Sequence, residues 1–222
     1  MHELTFGHEV LKPKIKTKLH PELWAFEINT EKWEERYIHY QTRVQDWDAI
    51  VDRQGSEIYT WPIFTERFCK EIIEEAEYQD VWTVDRHDNY PTTDFHLKDI
   101  GFDDIYFKIL QKYAFPVARH IWGLTGDMWQ ENIHAENFLA KYSPKAQGHL
   151  DSHIDNSQYS ITLALNDEFS GGGTFYHRQE TLIKAPVGHI CLFPQVTHKH
   201  SGRAISKGTR YIIVSFCKSG MI

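Results

Sequence analysis

A chain of 222 residues can form one sizeable domain with an extension, and 41% hydrophobic with 14% aromatic residues excludes a disordered polymer. The formal net charge is -7 and no dense Lys/Arg run occurs outside Lys12–Lys18, which argues against a duplex nucleic-acid partner. No apolar run approaches the ~20 residues of a spanning helix, so a chain soluble as given, with no spanning membrane segment, is expected.

Residues 1–53 are polar, with Trp24, Trp33 and Trp47 as anchors. They read as an N-terminal extension or linker with short helices, one over Glu31–Tyr40, docked on a domain of residues 54–222. Thr65 is a plausible N-cap, and Phe68, Ile72, Ile73 and Ala76 recur at helical spacing, predicting an amphipathic helix that ends near Gln79. A second helix starts near Asp103–Asp104 and carries Ile105, Ile109, Leu110 and Tyr113; Pro116 should kink or break it. Beyond it the period changes to two. Tyr159, Ile161, Leu163 and Leu165 alternate with Ser160, Thr162 and Ala164, predicting a half-buried strand.

Gly171–Gly173 then breaks the chain before Thr174–His177, and short strands are expected to follow at Leu182–Lys184, His189–Phe193 and Arg210–Phe216. Ser201–Thr209, with Gly202 and Gly208, reads as a loop joining two antiparallel strands. Helices followed by many short strands predict a mainly β fold with flanking helices, a β-sandwich or jelly roll. The three cysteines (Cys69, Cys191, Cys217) form no disulfide framework and no Cys-x-x-Cys pair, and read as buried small hydrophobes.

Chemistry concentrates between His149 and Phe216. Two His-x-Asp pairs occur there, His149/Asp151 and His153/Asp155. With 14 His and 14 Asp in the chain, about one such pair is expected by chance, so spacing alone carries little. On a strand, residues i and i+2 share a side, and either pair could hold one metal. The second leads directly into the strand from Tyr159, which favours it. A third ligand must come from later in the chain, where His198 and His200 are both candidates. Two imidazoles and one carboxylate on one face of an iron leave three open positions, enough for a cosubstrate and O₂. Arg210, ten residues beyond His200, offers the fork that a dicarboxylate such as 2-oxoglutarate requires, although a lone arginine at a strand start is more often a surface ion pair. His134, His177 and His189 read as structural, or as partners behind metal ligands, rather than as ligands themselves.

The segments "LHPELW…EKWEERYIH", "YTWPIFTERFCKEIIEE", "YPTTDFHLKDIGF", "YSP", "SHID", "SITLALN", "GGGTF", "APVGHICLFP", "THKHSG" and "KGTRYIIVSF" extend from about His20 to Phe216. In order and density they resemble the C-terminal catalytic domain of procollagen-lysine 2-oxoglutarate 5-dioxygenases, the collagen lysyl hydroxylases. The resemblance implies a double-stranded β-helix core of the Fe(II)/2-oxoglutarate dioxygenase type. It implies His153, Asp155 and His200 as Fe(II) ligands, Arg210 as the grip on the distal carboxylate of 2-oxoglutarate, and Tyr142 as a hydrogen-bond donor to that cosubstrate. A core tyrosine with a satisfied hydroxyl is the competing reading of Tyr142. Thr162 stands where the animal members resemble an Asn, and Thr174 where they carry a cysteine after the glycine turn. The second departure weakens any inference of an oxidising compartment.

The implied reaction is hydroxylation of a peptidyl lysine at C5 in collagen-like Xaa-Lys-Gly sequences, using O₂ and 2-oxoglutarate and releasing succinate and CO₂. The resemblance further implies ascorbate as an auxiliary reductant (vitamin C), leaves room for a homodimer, and suggests the endoplasmic reticulum lumen for an animal member or host cell or virion for a viral one. Acidic residues between Asp85 and Asp104 are candidates for lining the approach of a basic peptide, or are solvated loop charges. Competing readings are a peptidyl prolyl hydroxylase, a nucleic-acid demethylase disfavoured by the acidic balance, and a non-catalytic jelly-roll binding module. Hydrolytic zinc chemistry lacks a Glu or His base at helical spacing.

Overall fold

The computed structural model describes residues 15–84, 86, 90–123 and 133–219. Asp85 and Asp88, two of the acidic residues considered for a peptide approach, lie outside the described residues. A seven-stranded antiparallel sheet runs in the order β1 (Asp52–Gly55), β2 (Ile58–Pro62), β10 (His189–Pro194), β6 (Tyr159–Ala164), β13 (Arg210–Ser219), β4 (Ile133–Tyr142) and β3 (Thr93–His96). A smaller sheet runs β5 (Leu150–His153), β11 (His200–Gly202), β8 (Thr174–Tyr176) and β9 (Thr181–Ile183). A short pair, β7 (Phe169–Gly171) with β12 (Ile205–Gly208), completes a jelly-roll core.

Period-two patterning decides which way the large sheet faces. Ile161 and Leu163 of β6, Ile190 and Leu192 of β10, and Ile213 of β13 join one buried core with the helices. Against them pack α4 (Glu66–Gln79), through Phe68, Ile72 and Ala76, and α5 (Asp103–Tyr113), through Ile105, Ile109 and Leu110. The opposite face carries Phe138, Ala140, Tyr142, Ile212 and Val214, a smaller cluster that looks toward the other sheet. The strand expected to be half-buried is therefore covered on both faces: Ser160 is also buried, against side chains of the site.

Local signals set the helix ends. Thr65 Oγ accepts a hydrogen bond from the Phe68 N–H at 3.3 Å, the N-cap anticipated for α4. At its other end Asp80 takes the left-handed conformation (φ 53°). The break expected from Pro116 falls at Ala114, and the proline occupies the first turn of α6 (Phe115–Trp122), where its missing N–H leaves no helix acceptor unserved.

Upstream, α1 (Thr30–Tyr37) buries Trp33 and Tyr37 in the same core as Phe64 and Phe68, with Trp33 edge-on to Tyr37 at 4.9 Å between ring centroids. Strand β1 spans residue 53, where the sequence had suggested an extension giving way to a domain.

Two features depart from the sequence reading. Strand β4 follows a helix and has a mixed composition, IHAENFLAKY, with no clean alternation over its first half. Its ten-residue pairing with β13 creates it. The segment 201–209 is not a simple connecting loop: Ile205–Gly208 pairs with β7, and β11 and β13 belong to different sheets. Glycine makes that pairing feasible. Gly171 has φ +84° and a Cβ there would lie 2.2 Å from the Ala204 carbonyl oxygen, a separation no side chain permits.

Candidate active site

The two sheets enclose a cavity of about 280 Å³, with Thr162, Ile212 and Val214 on one wall and His153, Thr174 and His200 on the other. Strand pairing brings the first three functional groups together. His153 of β5 and His200 of β11 are direct cross-strand partners, and their rings lie 4.3 Å apart between centroids. Asp155, just beyond β5, places Oδ1 3.1 Å from His153 Nε2 and 3.6 Å from His200 Nε2. All three side chains are buried. Among the described residues they are the one group of at least three His, Cys, Asp or Glu side chains with metal-ligand proximity.

The hydrogen bonds behind these groups orient them. His153 Nδ1 lies 2.7 Å from the Asp151 carbonyl oxygen, and His200 Nδ1 lies 2.9 Å from that of His198. A carbonyl can only accept, so each Nδ1 carries the proton and each Nε2 presents its lone pair to the shared space. Asp155 Oδ2 accepts from Ser160 Oγ at 2.7 Å and from Gln195 Nε2 at 2.9 Å, leaving Oδ1 to face the imidazoles. Two neutral nitrogens and one carboxylate oxygen, each oriented from behind, fit a divalent transition metal that keeps open positions.

The same three groups shift one another's proton affinities. Burial pushes the Asp155 carboxyl up, yet its bonds from His153 and Ser160 and the nearby His200 outweigh burial and hold it below the ordinary value. Burial likewise opposes protonation of His153, but the Asp155 carboxylate overcomes it and raises that imidazole. His200 goes the other way, lowered by burial.

Arg210 lies at the start of β13 and lines the same cavity. Its Nη1 donates to the Gly173 carbonyl at 3.5 Å and its Nη2 to Thr174 Oγ1 at 3.4 Å, both long, and the Tyr142 ring lies 5.9 Å from its guanidinium carbon. Among the described residues no carboxylate stands within ion-pair distance of it. Burial lowers its pKa from the ordinary value, so this half-buried cation is partly desolvated, with no anionic partner among the described residues. Tyr142 is buried directly across the β4–β13 register from Arg210, and burial pushes its phenol up to about 12. Thr162 lines the cavity from β6.

The remaining histidines are elsewhere. His149 is exposed and pairs with its own neighbour Asp151 at 3.5 Å, away from the cluster. His198 Nε2 contacts the Ser56 carbonyl at 2.8 Å, so its ring turns out of the site and only its backbone carbonyl serves His200. His177 meets Ser201 at 3.2 Å and His189 meets the Val187 carbonyl at 3.3 Å.

Sequence reasoning missed Ser160 and Gln195, the two partners of Asp155, and Tyr90, whose ring lies 5.1 Å from that of His153. Ser160 fell on the face of the alternating strand opposite Tyr159 and Ile161, which a half-buried strand would leave to solvent, and only the second sheet buries it. Gln195 and Tyr90 reach the site from segments remote in sequence, and no local pattern marks them.

Comparison with known proteins agrees with this architecture. The model of the OGFOD2-like domain matches residues 14–127, half of the chain. The multifunctional procollagen lysine hydroxylase and glycosyltransferase of Caenorhabditis elegans is 36% identical over 230 residues, covering 96% of this chain and 31% of that protein. Procollagen-lysine,2-oxoglutarate 5-dioxygenase 1 of Gallus gallus is 33% identical, covering 95% of this chain and 30% of that protein. The chain thus spans about a third of the length of these curated relatives. Among solved structures, a Pseudomonas putida prolyl-4-hydroxylase superposes with a TM-score of 0.55 at 13% identity, covering 80% of this chain and 97% of that one. A viral collagen prolyl hydroxylase from Paramecium bursaria chlorella virus-1 gives 0.50 at 14% identity, covering 75% and 98%. At such identities these two likenesses establish a shared fold. With half its length matched by one domain model and nearly all of it aligned with procollagen lysine hydroxylases, this chain belongs to the OGFOD2-like domain family and is a relative of those hydroxylases.

Proposed function

We propose that the chain is an Fe(II)- and 2-oxoglutarate-dependent oxygenase that hydroxylates peptidyl lysine at C5 in collagen-like Xaa-Lys-Gly sequences. The observation that carries this reading is one cavity holding both a two-histidine, one-carboxylate donor set and a half-buried arginine with no carboxylate partner among the described residues. The alignment with procollagen lysine hydroxylases over nearly the whole chain supports lysine in a collagen-like peptide as the substrate.

In this reading His153 Nε2, Asp155 Oδ1 and His200 Nε2 hold the iron. Arg210 pairs with the distal carboxylate of 2-oxoglutarate through a two-point, charge-assisted contact. Tyr142, across the strand pair, donates its hydroxyl proton to the same cosubstrate, and Thr162 borders it. Burial keeps the Tyr142 phenol protonated at neutral pH, as a donor must be. When bound, iron supplies the redox chemistry that couples decarboxylation of 2-oxoglutarate, with O₂, to hydroxylation of a C–H bond. The apolar wall formed by Phe138, Ile212 and Val214 excludes water and fixes the reacting groups relative to one another. Ascorbate is the reductant proposed to keep the iron ferrous. No helix among the described residues is long and apolar enough to cross a membrane.

The test is turnover of a collagen-like peptide containing both lysine and proline, with Fe(II) and 2-oxoglutarate supplied. Peptide-dependent succinate release with a new oxygen on lysine C5, located by mass spectrometry, is the expected result. Oxygen on a proline ring alone would replace lysine with proline as the substrate. Absence of peptide-dependent succinate would overturn the enzymatic reading.

A further inference from the structure

Asp155 is held by more than its neighbours in sequence. Gln195 is 1% exposed and Ser160 is fully buried, and both reach Asp155 with their side chains, Ser160 Oγ also lying 3.0 Å from Ser157 Oγ. The Gln195 amide spans it: Oε1 accepts from the Asp155 backbone N–H at 2.9 Å, while Nε2 donates to Asp155 Oδ2 at 2.9 Å and approaches Ser160 Oγ at 2.6 Å. The backbone N–H can only donate, which fixes the amide orientation and obliges the NH₂ group to face the carboxylate. Ser160 Oγ supplies a second donor to the same Oδ2 at 2.7 Å.

The same glutamine also ties together chain segments that are far apart in sequence. Its backbone N–H donates to the Gln158 carbonyl at 3.1 Å, and its carbonyl accepts from the His198 N–H at 3.0 Å. His198 in turn offers its carbonyl to His200 Nδ1. One residue thus connects the segment carrying Asp155, the entry to β6 and the turn leading to His200.

Resting on the iron-site reading above, we propose that Gln195 and Ser160 are positioning residues that restrict Asp155 to one metal-facing oxygen. With Oδ2 engaged by two donors, rotation of the carboxylate toward two-oxygen coordination must break both bonds inside a buried site, where an unmade hydrogen bond is costly. A carboxylate that binds through one oxygen occupies one corner of the metal and leaves three for cosubstrate and O₂; one that binds through two removes a corner. Gln195 and Ser160 thereby set how many positions stay open, without touching substrate.

The experiment uses Co(II) as probe, read by calorimetry for affinity and by visible absorption for coordination, on the wild-type chain and on Gln195→Leu, Ser160→Ala and Gln195→Asn. Wild-type protein is expected to bind one Co(II). Gln195→Leu, close in size but without the amide, is expected to bind roughly 10–100-fold more weakly, the range found when outer partners of metal ligands are removed. Its visible spectrum should also change in band position and intensity. Ser160→Ala removes one of the two donors to Oδ2 and should lie between; it also carries the test if Gln195→Leu does not fold. Gln195→Asn, which keeps the amide but shortens its reach, should recover part of the affinity. Folded Ser160→Ala and Gln195→Leu proteins with wild-type Co(II) affinity and spectrum would overturn the proposal. Failure of the wild-type chain to bind Co(II) would overturn the donor-set reading itself, a distinguishable outcome.

Discussion

His153 and His200 are paired residue to residue across two neighbouring strands, so the edges their rings turn toward Asp155 are set by β-sheet register. A slip of one residue in either strand would turn one imidazole to the other face. Asp155 supplies the only carboxylate in this group. Asp155→Ala is expected to weaken metal binding by more than roughly 100-fold, beyond the upper range for outer partners, and to abolish turnover. Full peptide hydroxylation by that variant would remove Asp155 from the site.

Arg210 sits in the cavity with two long hydrogen bonds to uncharged groups. Arg210→Lys keeps the charge but loses the planar fork. A charge-assisted hydrogen bond contributes about 1.5–3 kcal/mol, so the KM for 2-oxoglutarate should rise roughly 10–100-fold. Steady-state kinetics with 2-oxoglutarate as the varied reactant measures this, and an unchanged KM would show that Arg210 does not hold the cosubstrate.

The glycine turn is a backbone requirement. At Gly171 the chain has φ +84°, and an added Cβ would press on the Ala204 carbonyl. Gly171→Ala should lower stability by about 1–3 kcal/mol from backbone strain alone, and more from the clash. Denaturant unfolding checks this; a midpoint equal to wild type would mean the β7–β12 pairing tolerates a side chain there.

Stability should also depend on pH through His39 and His189. Burial lowers both, and each is further influenced by charge: His189 lowers His39, while the Val187 carbonyl and Asp52 partly restore His189. A depressed folded-state value means that the unfolded chain takes up protons the folded chain resists. Stability is therefore complete above the unfolded histidine value of about 6.5 and declines as pH falls below it toward the folded values. His198 and His200, also lowered, act in the same direction, and His153, which is raised, opposes them. His39→Gln should make the fall in melting temperature between pH 7 and 5 shallower. An unchanged slope would exclude His39 as a contributor.

Sequence alone determined the elements whose signal is local. The α4 helix was legible from Thr65 and the spacing of Phe68, Ile72 and Ala76, and β6 from alternation between Tyr159 and Leu165, because capping and amphipathic period act within one segment. Family resemblance singled out His153, Asp155, His200 and Arg210, and folding brings all four to one cavity. Tertiary structure decided the rest. Strand β4 exists because β13 pairs along its full length, and Ile205–Gly208 became a strand because Gly171 and Gly208 let two backbones approach. Which of the two His-x-Asp pairs faces inward, which way His198 turns, and that Gln195 and Ser160 clasp Asp155 depend on contacts between segments up to 142 residues apart. Such contacts leave no periodic trace, because the free energy that fixes them comes from burial and hydrogen bonding between surfaces that meet only after the chain has folded.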